Sequence, residues 1–353
     1  MLKLRIQKIL LLFILATGAL QSFACPMPFK VKDTIIKTTP PLRGFYSKYL
    51  NCEGIPIRSS SVVDDKALFV ASGKIKRMLA HMPAATKQLV KTGAELHIIG
   101  KNQQTSDLPE FRDQKGVKFM DNGIMTDIDQ RTRGMGGLLA SCGEENLLTL
   151  PGDRYGGGSD ICFHEFAHTI MNYGLDNALR EKIIARHKQA LAEGLWKGAY
   201  AGSNPDEYWA ELSMWYFDKH GEFLRDTKLP VAGAEGLKAY DAAGYALLDS
   251  IYSGKLQPKE GPSKASAVVQ KGDASVDSPT NAQLLLINDS PRKIKLYWID
   301  FEGKPVFYKE VEPKARYTQP TFMQHVWLVE DADKTTLVYI RVRDEQCEIN
   351  IVK

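Results

Sequence analysis

Residues 159 to 175 read Ser-Asp-Ile-Cys-Phe-His-Glu-Phe-Ala-His-Thr-Ile-Met-Asn-Tyr-Gly-Leu. His164 and His168 stand four positions apart, so a helix sends both imidazoles from one face, a turn apart, where they can share one metal ion. Ser159 and Asp160 are good helix starts and Gly174 is a good stop. Ile161, Phe163, Phe166, Ala167, Ile170 and Met171 are apolar, which predicts a buried helix with one polar edge. Glu165, beside the two His, is suited to take a proton from water that a Zn²⁺ ion has acidified.

A third ligand has to come from downstream. A Gly three residues after His168 and a third His three further on would extend the motif in one known way, but those positions hold Met171 and Gly174. Residues 200 to 211 read Tyr-Ala-Gly-Ser-Asn-Pro-Asp-Glu-Tyr-Trp-Ala-Glu. Asn204 with Pro205 predicts a helix start, and Glu207 and Glu211 then lie one turn apart on a shared face.

These two motifs resemble the catalytic domain of the anthrax lethal factor family, gluzincin-like zinc metallopeptidases. The shared pattern is H-E-F-x-H, a Tyr, then Asn and a Glu-aromatic-aromatic-Ala-Glu run, over about fifty residues in all. The resemblance implies that Glu207 is the third zinc ligand, that Tyr200 steadies the oxyanion, that Glu165 is the general base, and that Glu211 supports a ligand from behind. The implied reaction is hydrolysis of a protein or peptide substrate, within the chain rather than at its ends. A binding protein with a structural or vestigial zinc site is the alternative, and the presence of both Glu165 and Tyr200 weighs against it.

Upstream, residues 1 to 24 carry Lys3, Arg5 and Lys8, an apolar run from Ile9 to Ala16, and Ser22-Phe23-Ala24, the pattern of a cleaved secretory signal. Acylation of Cys25 is the alternative, but Ser22 stands where a lipoprotein signal usually has Leu. A secreted or periplasmic location follows as an expectation. The chain after cleavage is about 330 residues, enough for two domains. No other stretch is long and apolar enough to span a bilayer. The formal charge of +4 is small and dispersed, which argues against nucleic acid as a partner.

Export would permit disulfides. Cys142 with Cys162 is the preferred pair, since it would tie the loop before the metal helix to that helix, and Cys25 with Cys52 comes second. Residues 31 to 61 look irregular. A helix is predicted over 64 to 82, another over 84 to 91, a strand at Glu95 to Ile99 that carries His97 as an ordinary strand residue, and a polar loop from 101 to 130. The helix over 177 to 193 places His187 on the surface. The first lobe, 25 to 253, should therefore be an α+β zincin-like fold.

Residues 254 to 280 lose apolar periodicity and read as a linker. From 281 to 353 the pattern alternates in short runs, which predicts a small antiparallel β-sandwich. The stretch from Asn288 to Pro305 and His325-Val-Trp-Leu are similar to the β domain of the von Hippel-Lindau tumour suppressor family. In that family a Trp, Tyr, Ser, His, Trp pocket holds 4-hydroxyproline. The matching positions are Trp298, Tyr308, Thr321, His325 and Trp327, with Thr in place of Ser. The resemblance implies a hydroxyproline-bearing or proline-rich protein partner. The helical domain that recruits ligase machinery in the tumour suppressor has no match, so no ubiquitin role is implied.

Overall fold

The computed structural model describes residues 33–121, 123–156, 158–220, 231–259, 261, 267–268 and 273–352. The expected signal segment and Cys25 lie outside them. The described residues from 33 onward form one compact α+β unit with two main hydrophobic cores, one in each lobe.

The chain opens with β1 (Ile35–Leu42), β2 (Tyr46–Cys52) and β3 (Ile55–Ser59). This region was expected to be irregular because of its prolines, but Pro40 and Pro41 sit on β1, an edge strand, where a missing N–H costs no ladder bond. Helix α1 (Asp65–Leu79) starts where the Asp64 carboxylate accepts from the Lys66 N–H, and its buried stripe includes Ala67, Leu68, Ala71, Ile75 and Met78. Helix α2 (Pro83–Thr92) begins on proline and ends at Gly93, whose φ of 76° needs glycine. Strand β4 (Glu95–Ile99) follows.

The expected polar loop contains a hairpin, β5 (Phe119–Asp121) and β6 (Ile124–Thr126), and a one-turn helix α3 (Ile128–Arg131). Next come β7 (Gly134–Met135), β8 (Leu139–Gly143) and the short α4 (Glu144–Leu147). The main sheet has the order β1-β2-β3-β4-β8-β7, with β4 parallel to both its neighbours. Helix α5 (Ile161–Thr169) packs on β8, and a π-helical turn, Ile170–Gly174, continues it. Helices α6 (Asn177–Ala192), α7 (Pro205–Tyr216), α8 (Ala234–Tyr240) and α9 (Ala242–Tyr252) complete the lobe. Among the described residues no helix is long and apolar enough to cross a membrane.

The stretch read as a linker is partly built into the second lobe. It supplies β9 (Ala267–Val268), and Ser275 donates to the Ile299 carbonyl and accepts from the Val326 N–H. The lobe continues with β10 (Asn281–Asn288), β11 (Ile294–Ile299), β12 (Pro305–Val311), β13 (Arg316–Phe322), β14 (Val326–Asp331), β15 (Thr336–Arg341) and β16 (Gln346–Ile351). Its two sheets have the orders β13-β10-β16 and β12-β11-β14-β15-β9. The sandwich is not purely antiparallel, because β16 returns parallel to β10.

His97 is more than an ordinary strand residue. It is fully buried on β4, with Nε2 2.9 Å from Glu95 and Nδ1 against Glu110 and 2.9 Å from the Tyr46 hydroxyl. Arg58 donates to Glu95 at 2.8 Å, and Arg43 joins Glu110 to Asp289 of the second lobe. Burial pushes the Glu95 carboxyl up, but His97 and Arg58 bring it down to about 2. Burial pushes His97 down, yet Glu110 and Glu95 hold it above its ordinary value. Glu95 stabilises the fold in full above its unfolded pKa of 4.5, and that stability is lost as pH falls towards 2. His97 stabilises in full below 6.5, and that stability is lost as pH climbs through its raised value. Thermal melting should therefore peak between those limits, and a Tm that stays level from pH 5 to pH 2 would show that the cluster contributes nothing.

Candidate metal centre

Two caps aim the site. Asp160 accepts from the Phe163 N–H at the start of α5 and is held in turn by Lys74, while Asn204 accepts from the Glu207 N–H at the start of α7. The Trp209 indole donates to the Ala167 carbonyl at 2.8 Å and locks α7 against α5. Packing of these two helices brings Glu207 to the pair of histidines.

Glu207 Oε2 lies 3.1 Å from His164 Nε2 and 3.4 Å from His168 Nε2, and the two nitrogens are 3.2 Å apart. Four ligands around a zinc ion at about 2.0–2.1 Å are separated by about 3.3 Å, so the three atoms are spaced as three corners of one tetrahedron. Glu207 Oε2 is buried between those two nitrogens. Two imidazole nitrogens and a carboxylate oxygen converging at this spacing make a donor set that fits zinc. A Glu165 oxygen also lies within 4.8 Å of both imidazole nitrogens, but Glu207 is nearer.

Charge follows position. Burial lowers the His164 imidazole, yet Glu207 and Glu211 outweigh it and hold it well above its ordinary value; a bound cation would take the place of that proton. Burial raises Glu207, but the hydrogen bonds of His164 and His168 keep it far below the usual carboxylate range. Burial is the main reason that the Glu165 carboxyl is raised. Tyr200 stacks on His164 with ring centroids 6.2 Å apart, and burial together with Glu207 keeps its phenol protonated and able to donate.

Glu211 Oε1 is 3.0 Å from His164 Nδ1, so it fixes the tautomer that leaves Nε2 free to ligate. Glu211→Ala is expected to weaken zinc binding about 10- to 100-fold. Competition with a metal chelator would read this directly, and an unchanged affinity would exclude the role.

The cleft over these residues, about 490 Å³, is also lined by residues that the motifs did not indicate. Arg131 reaches the Tyr200 phenol and donates to Asp121 of the β5–β6 hairpin at 3.1 Å. Edge strand β7 and its neighbour Gly136 form the opposite rim, and a Cβ on Gly136 would meet His168 Cβ at 2.7 Å. The glycine-rich composition of 131 to 158 was the available signal for this close approach. His187, expected on the surface, is buried against Tyr208 with its Nε2 3.3 Å from the Gly202 carbonyl. Its helix face is covered by α7. Cys142 and Cys162 are buried free thiols in hydrogen-bond contact, whereas Cys52 is buried beside the Ser72 carbonyl.

In the second lobe the five expected residues lie together. The Trp327 indole donates to Thr321 Oγ1 at 3.0 Å, and that hydroxyl is 3.3 Å from His325 Nδ1. The Tyr308 ring meets Trp327 edge-on at 4.9 Å, and Trp298 lies 5.3 Å from His325. Trp298 Nε1 is buried and has no acceptor among the described residues. Burial lowers the His325 imidazole, which keeps it neutral.

Residues 274–344 match the VHL beta domain family. No curated protein matches the chain. Among solved structures it is similar to a Pro-Pro endopeptidase from Paenibacillus alvei, with 14% identity, 53% of this chain and 92% of that chain covered, and a TM-score of 0.39.

Proposed function

We propose that this chain is a zinc-dependent peptidase that cleaves within polypeptides. The observation that supports it is the tetrahedral spacing of His164, His168 and Glu207 with a buried carboxyl, Glu165, beside them. A zinc ion held there supplies Lewis-acid polarisation and lowers the pKa of its water.

The remaining chemistry falls to side chains. Glu165 accepts a proton from the attacking water and returns it to the departing amine, and burial, which raises its carboxyl, favours its taking up that proton. Tyr200 donates to the carbonyl oxygen as negative charge develops, with Arg131 steadying the phenol. Edge strand β7, with Gly136 and Gly137 just after it, lines the cleft, and an extended peptide can lie along it. Cleavage of a mixed peptide library that stops on chelation and returns with zinc would support this reading. Zinc binding without any cleavage would favour a binding protein instead.

The β module, in this reading, takes a proline or 4-hydroxyproline ring between Trp298, Tyr308 and Trp327. Thr321 accepts from Trp327 and donates to His325 Nδ1, which leaves the Nε2 proton of His325 for the ligand hydroxyl. A hydroxylated peptide should bind the full chain about tenfold tighter than its unmodified form, and His325→Phe should erase the difference. Equal affinities for wild type would remove the hydroxyproline assignment. Export by the N-terminal segment completes the proposal, and in an oxidising compartment Cys142 and Cys162 would be the pair to join.

A further inference from the structure

We propose that Arg43, Arg112, Lys314 and Arg316 form a binding site for a phosphate group, free or carried as an ester, where the two lobes meet. The inference does not depend on the peptidase reading.

The four cations line a cavity of about 220 Å³ whose other lining residue is Pro109. Arg43 lies in the turn between β1 and β2, and Arg112 follows β4, both in the first lobe. Lys314 lies in the turn between β12 and β13, and Arg316 opens β13, in the second. The net charge of the whole chain is only +4, so this convergence is a product of packing.

Two carboxylates lie next to Arg43, and both are engaged. Asp289 takes the Arg43 guanidinium through two hydrogen bonds, and Glu110 is shared by Arg43, His97 and Tyr46. The other three cations have neutral partners. Lys314 Nζ donates to the Asp289 carbonyl, Arg316 donates to the Glu110 carbonyl at 3.2 Å, and the Arg112 guanidinium lies 6.0 Å from the centre of the Phe45 ring. Among the described residues none of these three is in an ion pair, and all three are open to solvent.

The backbone that presents the cations is held in place. Arg43 and Lys314 have φ of 52° and 66°, a conformation that a residue with a side chain keeps only where its surroundings impose it. At Lys314 the surroundings are the buried Asn288, whose amide donates to the Val311 and Glu312 carbonyls at 3.1 and 3.0 Å. The Asn288 carbonyl accepts from the Lys314 N–H at 2.6 Å. Burial, joined by the charges of Arg43 and Arg58, holds the Lys314 ammonium below its ordinary value despite Asp289 and Glu95.

Three cations without a carboxylate call for more than one negative charge. Guanidinium forks match the oxygens of a phosphate in pairs, and an ammonium adds a point charge. A phosphate dianion meets both needs, and with two cations from each lobe it would tie the lobes together.

The test titrates the full chain with inorganic phosphate, by calorimetry and by thermal melting, at an ionic strength held constant with sodium chloride. Saturable binding should raise the Tm, and acetate should bind at least about tenfold more weakly. Arg112→Gln and Lys314→Gln should each weaken phosphate about tenfold. Arg112 makes only a ring contact, so its variant should melt like wild type without phosphate, which guards against a folding failure at Lys314. The variants keep the metal centre, so phosphate bound there does not distinguish them from wild type. Phenyl phosphate in a second arm separates the sources: tighter binding than inorganic phosphate supports an ester group on a larger molecule, and weaker binding supports the free ion. Absence of saturable binding, or equal phosphate affinity in wild type and both variants, overturns the inference.

Discussion

Glu165→Gln should retain one zinc per chain and lose peptide hydrolysis by about 10²–10⁴-fold in kcat. The amide fits the space of the carboxyl and leaves His164, His168 and Glu207 in place, so metal content reads the ligands while turnover reads proton transfer. The comparison needs both numbers on the same sample. Unchanged turnover would take the general-base role from Glu165. Loss of zinc with turnover would show instead that Glu165 supports the metal directly, as its position within 4.8 Å of both imidazole nitrogens allows.

Glu207→Ala should weaken zinc binding by about a hundredfold or more, since it removes a ligand where even a supporting residue is worth 10- to 100-fold. It should also remove activity at ordinary zinc concentrations. The fold should survive, because the helix start is held by Asn204 and Pro205 and the α5–α7 packing by Trp209, none of which is changed. Zinc titration followed by spectroscopic competition, with a thermal melt in parallel, separates the two effects. Wild-type zinc affinity in the Ala variant would reject Glu207 as third ligand and direct attention to Glu165.

The two halves of the metal centre were legible to different depths. His164, Glu165 and His168 lie within one helical turn, so their common face follows from the periodicity of a helix whose start and stop are written in Asp160 and Gly174. Glu207 and Glu211 were likewise legible as a pair on one face. That they face His164 depends on α7 crossing α5 with Trp209 against the Ala167 carbonyl, a contact between residues far apart in sequence. Strand β1 lies in a stretch that reads as irregular because it carries Pro40 and Pro41. It is an edge strand, where a missing donor is harmless.

What the sequence determined by itself is local: the helix that carries two imidazoles and a carboxyl, the capped helix that carries two more carboxylates, and the alternating strands and aromatic residues of the second lobe. Tertiary packing alone decided that His97 would be buried between Glu95 and Glu110, that His187 would lie under α7, and that Gln346 and Glu348 would line the cleft over His164 and His168. The division has a physical cause. Periodicity and capping act over a turn or two of chain, whereas the meeting of distant side chains depends on how whole faces pack, and single residues carry little trace of that.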